Sequence, residues 1–157
     1  TNGYSLARRL IFTVAGHDVN EDVDDLGMTV GEALLKVHVN YSNPVLAMLD
    51  KGIDIRGIAH ITGGGFIENI PRVLSDKLDA EITKNTWPML PIFPYMQKIG
   101  NVEESEMYRV FNMGIGLVLI IPQYEKEKIE SVLKDFPDYK IYEIGKIING
   151  NGKVILK

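Results

Sequence analysis

The first part of the chain reads as short helices separated by polar loops. Apolar residues recur at helical spacing between Tyr4 and Val14, which predicts a helix over residues 4–14. Thr29 is followed three residues later by Glu32, the pattern of a capping box at the start of a helix. Pro44 stands where a further helix should begin, because proline is favoured in the first turn.

Strand patterns alternate with these helices. Residues 53–61 alternate apolar and polar side chains, and residues 116–121 form a short apolar run typical of a buried strand. Residues 140–148 and 153–156 read as two more strands, and the Asn-Gly-Asn-Gly turn at 149–152 predicts that they pair as a hairpin.

The mixture and order of these elements predict an α+β fold. Helices and strands that alternate in this way commonly bury a mixed β-sheet between two layers of helices. We therefore expect a three-layer α/β/α sandwich, formed as one domain over residues 1–157.

Composition and charge narrow the possible partners. The net charge is −4, and no basic cluster offers the cationic surface that a nucleic acid backbone requires. No apolar run approaches the ~20 residues of a membrane-spanning helix. The chain has no cysteine, which excludes disulfides and thiolate metal sites and fits a reducing, cytoplasmic setting. We expect neither a nucleic acid nor a membrane as partner.

The best candidate for a binding site is a glycine loop at the end of the 53–61 strand. Gly63, Gly64 and Gly65 can expose backbone N–H groups to a ligand, and a helix starting at Phe66 would add partial positive charge. We expect a phosphate to bind there, with His60, Thr62, Asn69 and Arg72 close to it. A purely structural turn, with Arg72 paired to Glu68 on the surface, is the alternative.

A second candidate is the segment that leads into the 116–121 strand. Asn112 can both donate and accept hydrogen bonds, while Gly114 and Gly116 allow a ligand to approach the backbone closely. The alternative is a helix end that runs into a core strand.

Two other patterns do not meet the requirements of metal sites. The acidic stretch that begins at Asp18 has Val23 and Thr29 where a calcium loop needs glycine and glutamate. The three histidines, His17, His38 and His60, lack the spacing of metal ligands. We expect no metal site in this chain.

Several motifs together resemble the family of aminoimidazole ribonucleotide (AIR) synthetases, the phosphoribosylformylglycinamidine cyclo-ligases. In chain order they are Asn-Gly-Tyr-Ser-Leu at 2–6, His-Ile-Thr-Gly-Gly-Gly at 60–65, Glu-Asn-Ile-Pro-Arg at 68–72, Pro-Ile-Phe at 91–93, Gly-Asn-Val at 100–102, Glu-Met-Tyr-Arg at 106–109, Phe-Asn-Met-Gly-Ile-Gly at 111–116 and Ile-Gly-Lys-Ile at 144–147. The resemblance covers essentially the whole chain in the order of the family.

The resemblance implies a fold, an activity and partners. This chain corresponds to the C-terminal domain of a two-domain homodimeric enzyme, and the N-terminal ATP-binding half is not part of it. The enzyme uses ATP and Mg²⁺, bound mainly through that other half, to close the imidazole ring of formylglycinamidine ribonucleotide in purine biosynthesis. ATP activates the formamide oxygen as a phosphoryl leaving group, which the amidine nitrogen then displaces. The separate domain should be inactive.

The two candidate segments and the opening motif together supply the candidate site residues. His60 is the candidate catalytic residue. The candidates for binding substrate or phosphate are Asn2, Gly3, Thr62, Gly63, Gly64, Gly65, Asn69, Arg72, Asn112 and Gly114.

One segment departs from the family pattern. Where the family shows Pro-Thr-Arg-Ile-Tyr, this chain has Val37-His38-Val39-Asn40-Tyr41, so the proline and the arginine are missing. A relative with altered chemistry therefore stays possible, such as another ATP-using synthase or kinase of the same superfamily. A non-catalytic ligand-binding module is the alternative from a different class.

Overall fold

Helices and strands are interleaved along the whole chain, as the computed structural model of residues 2–157 shows. The helices are α1 (Tyr4–Arg8, continued by the π-helical turn Arg9–Val14), α2 (Val30–Leu34), α3 (Ser42–Asp50), α4 (Gly65–Asn69, continued by the 3-10 turn Ile70–Val73), α5 (Ile92–Gly100), α6 (Glu104–Val110) and α7 (Lys126–Leu133, preceded by the 3-10 turn Gln123–Glu125). The α+β class is confirmed.

Local signals in the sequence place several of these helices correctly. In α2 the Thr29 hydroxyl accepts a hydrogen bond from the Glu32 amide at 3.2 Å, and the Glu32 carboxylate accepts one from the Thr29 amide at 2.9 Å. The predicted capping box is therefore confirmed. Helix α3 begins two residues before Pro44, which lies in its first turn because that position needs no backbone N–H.

The strands form three small hydrogen-bonded sheets. They are β1 (Asp22–Val23), β2 (Met28–Thr29), β3 (Gly57–His60), β4 (Leu78–Ile82), β5 (Leu117–Ile120), β6 (Gly145–Asn149) and β7 (Val154–Leu156). β1 pairs with β2 and β3 with β5, both antiparallel. β4 lies between β6, to which it is antiparallel, and β7, to which it is parallel. The sandwich around one mixed sheet remains a prediction.

The predicted pairing of the last two strands is wrong. β6 and β7 do not form a hairpin, because β4 lies between them and pairs with both. The turn at 149–152 instead crosses the end of β4, where the buried carboxylate of Asp79 accepts hydrogen bonds from the amides of Asn151 and Lys153, each at 2.8 Å. The sequence thus predicted the turn correctly but not the pairing of the strands it connects, because Asp79 of β4 binds the turn and β4 separates the two strands.

A single large core joins α1, α4, α5 and α6 to the strands. Phe66 of α4 and Met107 of α6 are completely buried in it, and Ala59 of β3 and Ala80 of β4 lie in the same cluster. A smaller cluster between α3 and α7 contains Met48 and Ile129, among others. No helix among residues 2–157 is long and apolar enough to cross a bilayer.

The closest backbone contact in this core is at Gly65, the first residue of α4. Its φ is 54°, and a Cβ atom at this position would overlap the carbonyl oxygen of Tyr108 and lie 2.9 Å from that of Phe111. Both oxygens belong to the backbone at the end of α6, so neither can rotate away. Glycine is therefore required for α4 to pack against α6.

We expect Gly65→Ala to destabilise the fold by about 3 kcal/mol or more, because it adds overlap with backbone to the strain of a positive φ. Gly52→Ala is the matched control, since Gly52 has a φ of 69° with nothing within 4 Å of an added Cβ. It should cost only about 1–2 kcal/mol. Urea unfolding measures both, and equal losses would contradict the close contact at Gly65.

Asp79 should make folding stability depend on pH. Hydrogen bonds from the Lys153 and Asn151 amides lower the pKa of its carboxyl group in the folded state. Its contribution is therefore complete above the unfolded pKa of about 4 and is lost as the pH falls through the lower folded pKa.

Asp79→Asn should therefore lower the free energy of unfolding at pH 7, and the gap from the parent should narrow below about pH 4. Urea midpoints at pH 7, 5 and 3 measure this. The control is Asp138→Asn, an exposed carboxylate without a hydrogen bond or ion pair in the described range 2–157. A gap that is constant with pH would show that the carboxylate does not stabilise the turn.

Candidate functional site

The glycine loop lies at the end of β3, as the sequence predicted. β3 ends at His60, and α4 begins at Gly65, one residue before the expected Phe66. Gly64 has a φ of 93°, a value that L side chains rarely adopt, so the sharp turn requires glycine there. The three glycines thus form a turn between a strand and a helix and are not part of a continuous strand.

The side chain of Asn69 holds this loop together. Its Nδ2 donates to the carbonyl oxygens of Gly65 at 2.8 Å and Gly63 at 3.1 Å, while its Oδ1 accepts from the Thr62 hydroxyl at 3.3 Å. Asn69 is only 4% exposed, so its amide faces the loop and not the solvent. The geometry gives Asn69 a structural role in shaping the loop.

A carboxylate lies at the start of α4. The Glu68 side chain folds back over Gly64, where an added Cβ would overlap it. Arg72 is exposed, and within residues 2–157 no ion pair joins it to Glu68 or to any other carboxylate. The surface pair expected as an alternative is thus not formed, and a phosphate at this loop would have Glu68 as its neighbour.

The second predicted segment forms a tight turn beside the loop. The Gly114 amide donates to Asn112 Oδ1 at 3.0 Å, and Gly114 has a φ of 94°. The Nδ2 group of Asn112 is not used in this turn and can donate to a ligand. Asn2 approaches from the start of the chain, with its amide nitrogen 3.4 Å from the position of an added Cβ on Gly63.

These segments surround a cavity of about 260 Å³. Four of the predicted binding residues line it, namely Asn2, Thr62, Asn112 and Gly114. Its other walls are mostly apolar, and among residues 2–157 Lys36 is the only charged residue in the lining and no Asp or Glu lines it. The cavity therefore suits a ligand with an apolar or ring-shaped part and neutral or negatively charged polar groups.

The other predicted residues lie outside this lining. Gly3 packs against Phe111, Gly65 against α6, and Asn69 is buried inside the loop. His60, Gly63, Gly64 and Arg72 are also absent from the cavity wall. The candidate site thus divides into residues that face the cavity and residues that shape the loop beside it.

Two residues at the cavity were missed by the sequence analysis as site candidates, His38 and Tyr41. The Nε2 atoms of His38 and His60 are 3.0 Å apart and share a hydrogen bond. Tyr41 stacks edge-on to His38, with ring centroids 5.7 Å apart, and its phenol lies against Gly116. Burial lowers the pKa of His38 and raises that of Tyr41, which favours the neutral form of both groups.

A sequence signal for these residues did exist. They lie in the segment 37–41 that departs from the family pattern, and Val37, His38, Val39 and Tyr41 all line the cavity. The sequence could not show that the departure faces a cavity, because that depends on contact between residues 22 positions apart.

Metal ligands are not grouped in the part of the chain that the structure describes. Within residues 2–157, no three His, Cys, Asp or Glu side chains are placed to hold a metal ion. The polar groups of the site are amides, hydroxyls, imidazoles and backbone N–H groups, which bind ligands by hydrogen bonding.

Comparison with known proteins agrees with the motifs. Residues 1–157 match the family model described as "AIR synthase related protein, C-terminal domain". A Caldanaerobacter subterraneus protein named phosphoribosylformylglycinamidine cyclo-ligase is 46% identical over 156 residues, covering 99% of this chain and 46% of that protein. Proteins of the same name from Alkaliphilus metalliredigens and Lysinibacillus sphaericus are 40% and 43% identical, covering 99% and 98% of this chain and 44% of each relative.

The chain spans less than half the length of the curated relatives that it matches. The match runs through the glycine loop, the Asn112 turn and the divergent segment alike, since it covers the whole chain. The chain belongs to the family of AIR synthase related proteins and corresponds to their C-terminal domain.

Proposed function

We propose that this chain is the C-terminal half of an ATP-dependent cyclo-ligase that converts formylglycinamidine ribonucleotide to aminoimidazole ribonucleotide in purine biosynthesis. The observation that carries the proposal is the 46% identity, over 99% of the chain, to a protein named phosphoribosylformylglycinamidine cyclo-ligase. The cavity supports it, because it offers hydrogen-bond donors and no carboxylate to a phosphorylated substrate.

The proposed reaction has two steps. ATP transfers its γ-phosphoryl group to the formamide oxygen of the substrate, which leaves ADP. The amidine nitrogen then attacks the formyl carbon, a C–N bond forms, and the C–O bond breaks as phosphate leaves. ATP and Mg²⁺ would bind mainly through the N-terminal half, and Mg²⁺ there would neutralise charge on the phosphates.

The residues of this chain would bind and orient the substrate. Asn2, Thr62, Asn112 and Gly114 line the cavity and would contact it directly. Gly3 and the three loop glycines, together with Asn69, would hold those groups in place. His60, outside the lining, would approach the substrate from the rim of the cavity, and Arg72 would act only if the loop opens. Positioning of this kind can supply a large part of the rate enhancement.

The wider assembly follows the same proposal. The N-terminal domain would pack beside the cavity, and the full protein would be a homodimer. It would work in the cytoplasm, where its charged nucleotide substrates occur. We also propose that the sheets of this domain belong to one three-layer α/β/α sandwich, because Ala59 of β3 and Ala80 of β4 lie in the same core.

Two alternatives have weaker support. Another ATP-using synthase or kinase of the superfamily is favoured only by the divergent segment 37–41 that lines the cavity. A ligand-binding module without catalysis would use the same cavity but would need no second domain.

The chain alone should form AIR at least about 100-fold more slowly than the same chain joined to the N-terminal half of the Caldanaerobacter relative, because one side of the cleft is missing. Ring closure and ADP release measure this. An inactive joined protein that still binds the substrate would favour the binding module, while full turnover by the separate chain would contradict the two-domain proposal.

Asn112→Asp should lower kcat/KM of the joined protein about 10-fold or more. The variant keeps the Oδ1 that accepts from Gly114, so the melting temperature should change little. It replaces the free N–H₂ donor with a negatively charged oxygen in a cavity that has no other carboxylate.

Arg72→Ala is the control for the glycine-loop site, since Arg72 is exposed and outside the cavity lining. It should change kcat/KM less than about 2-fold, as is usual for an exposed cation without a close partner. A larger loss for Arg72→Ala than for Asn112→Asp would move the phosphate site to the glycine loop.

A further inference from the structure

His38 and His60 form a pair of chemistry-bearing side chains in which His60 belongs to a family motif and His38 does not. The two imidazoles come from different parts of the fold, His60 from the end of β3 and His38 from the loop before α3. Their Nε2 atoms are 3.0 Å apart, and their ring centroids are 5.1 Å apart, so the rings meet nearly end to end. That geometry fits one N–H···N hydrogen bond.

A hydrogen bond between two neutral imidazoles fixes both tautomers. The donor ring carries its proton on Nε2 and has a bare Nδ1, whereas the acceptor ring has a bare Nε2 and must carry its proton on Nδ1. Neither Nδ1 atom has a hydrogen-bond partner among residues 2–157. The pair therefore presents one N–H group and one lone pair to its surroundings.

Burial decides which ring is the donor. His60 is exposed, so an Nδ1–H on its ring can donate to water or to a ligand. His38 is half-buried against Tyr41 and Gly116, so an Nδ1–H on its ring would be less hydrated than one on the exposed ring of His60. Because a poorly hydrated N–H group is avoided more strongly than a poorly hydrated lone pair, the Nδ1–H is more favourable on His60.

The surroundings favour the neutral form of His38 and hold both rings in place. Burial lowers the pKa of His38, which disfavours its cationic form. Tyr41 packs edge-on against both rings, at centroid distances of 5.7 Å and 6.5 Å, and itself contacts Tyr139. Of the residues from Asn2 onward, Lys36 is the only charged one in the lining of the adjoining cavity.

We propose that His38 is a positioning residue, whose Nε2–H donates to Nε2 of His60 and thereby holds His60 as the Nδ1–H tautomer. His60 then presents a fixed N–H donor beside the cavity. In the proposed cyclo-ligase, this donor would bind an oxygen of the substrate. That catalytic consequence rests on the proposed function, while the tautomer itself does not.

The tautomer can be measured directly in the chain labelled with ¹⁵N-histidine, which contains only three histidines. Long-range ¹H–¹⁵N correlation at about pH 8, where unperturbed imidazoles are neutral, distinguishes an Nδ1–H from an Nε2–H ring. We expect His60 to be Nδ1–H in the parent. His17 serves as an internal control, because both its ring nitrogens have partners that do not belong to the pair. Its Nδ1 is 2.7 Å from Glu21, and its Nε2 contacts Tyr95.

Two substitutions separate positioning from packing. His38→Gln retains an N–H donor and should keep His60 as Nδ1–H, whereas His38→Leu removes the donor and should shift His60 towards the Nε2–H form. Unchanged His17 signals would show that the variants are folded. The proposal is overturned if His60 is Nε2–H in the parent, or if His38→Leu leaves the tautomer of His60 unchanged. If His38→Leu does not fold, the spectra of the parent and of His38→Gln decide.

The same variants in the protein joined to an N-terminal half test the catalytic consequence. His38→Leu should lower kcat/KM about 10-fold, and His38→Gln should restore most of it. If the joined protein forms no AIR, the proposed function fails while the spectra still decide the role of His38. If the tautomer shifts and kcat/KM does not, His60 does not donate to the substrate.

Discussion

The contact between α4 and the end of α6 determines where the candidate site lies. Gly65 begins α4 with its α-carbon against the carbonyl oxygens of Tyr108 and Phe111, and there is no room for a side chain. This contact brings the loop that follows β3 beside the segment that follows α6. Phe66 and Met107 then fill the core on either side of it. Both predicted binding segments therefore depend on one backbone approach.

The site that results has a rigid part and an adaptable part. Asn69 ties the glycine loop to itself through three backbone and side-chain groups, and the Asn112 side chain closes its own turn. In contrast, the segment that carries His38 has no regular secondary structure between α2 and α3 and is held by side-chain contacts with His60 and Gly116. Variation in that segment can change the cavity without disturbing the core.

Sequence reasoning was most accurate where the determinant is local. The capping box at Thr29, the turn at the glycines and the helix after it depend on residues within a few positions of each other, so the pattern was sufficient. It failed at the end of the chain, where β4 lies between the two strands predicted to pair and Asp79 holds the turn between them. Strand order depends on pairing partners distant in sequence, which no local pattern encodes.

The sequence by itself determined the family, the α+β class and the two segments from which the site is built. The segments could be found because clustered glycines and asparagine favour sharp turns through neighbouring residues alone. Only the tertiary structure decided how the individual side chains are used. It directed the Asn69 amide inward, set Glu68 beside Gly64, left Arg72 exposed and joined His38 to His60. The physical reason is that orientation and burial of a polar side chain depend on which distant backbone packs against it, and that is settled only when the core has formed.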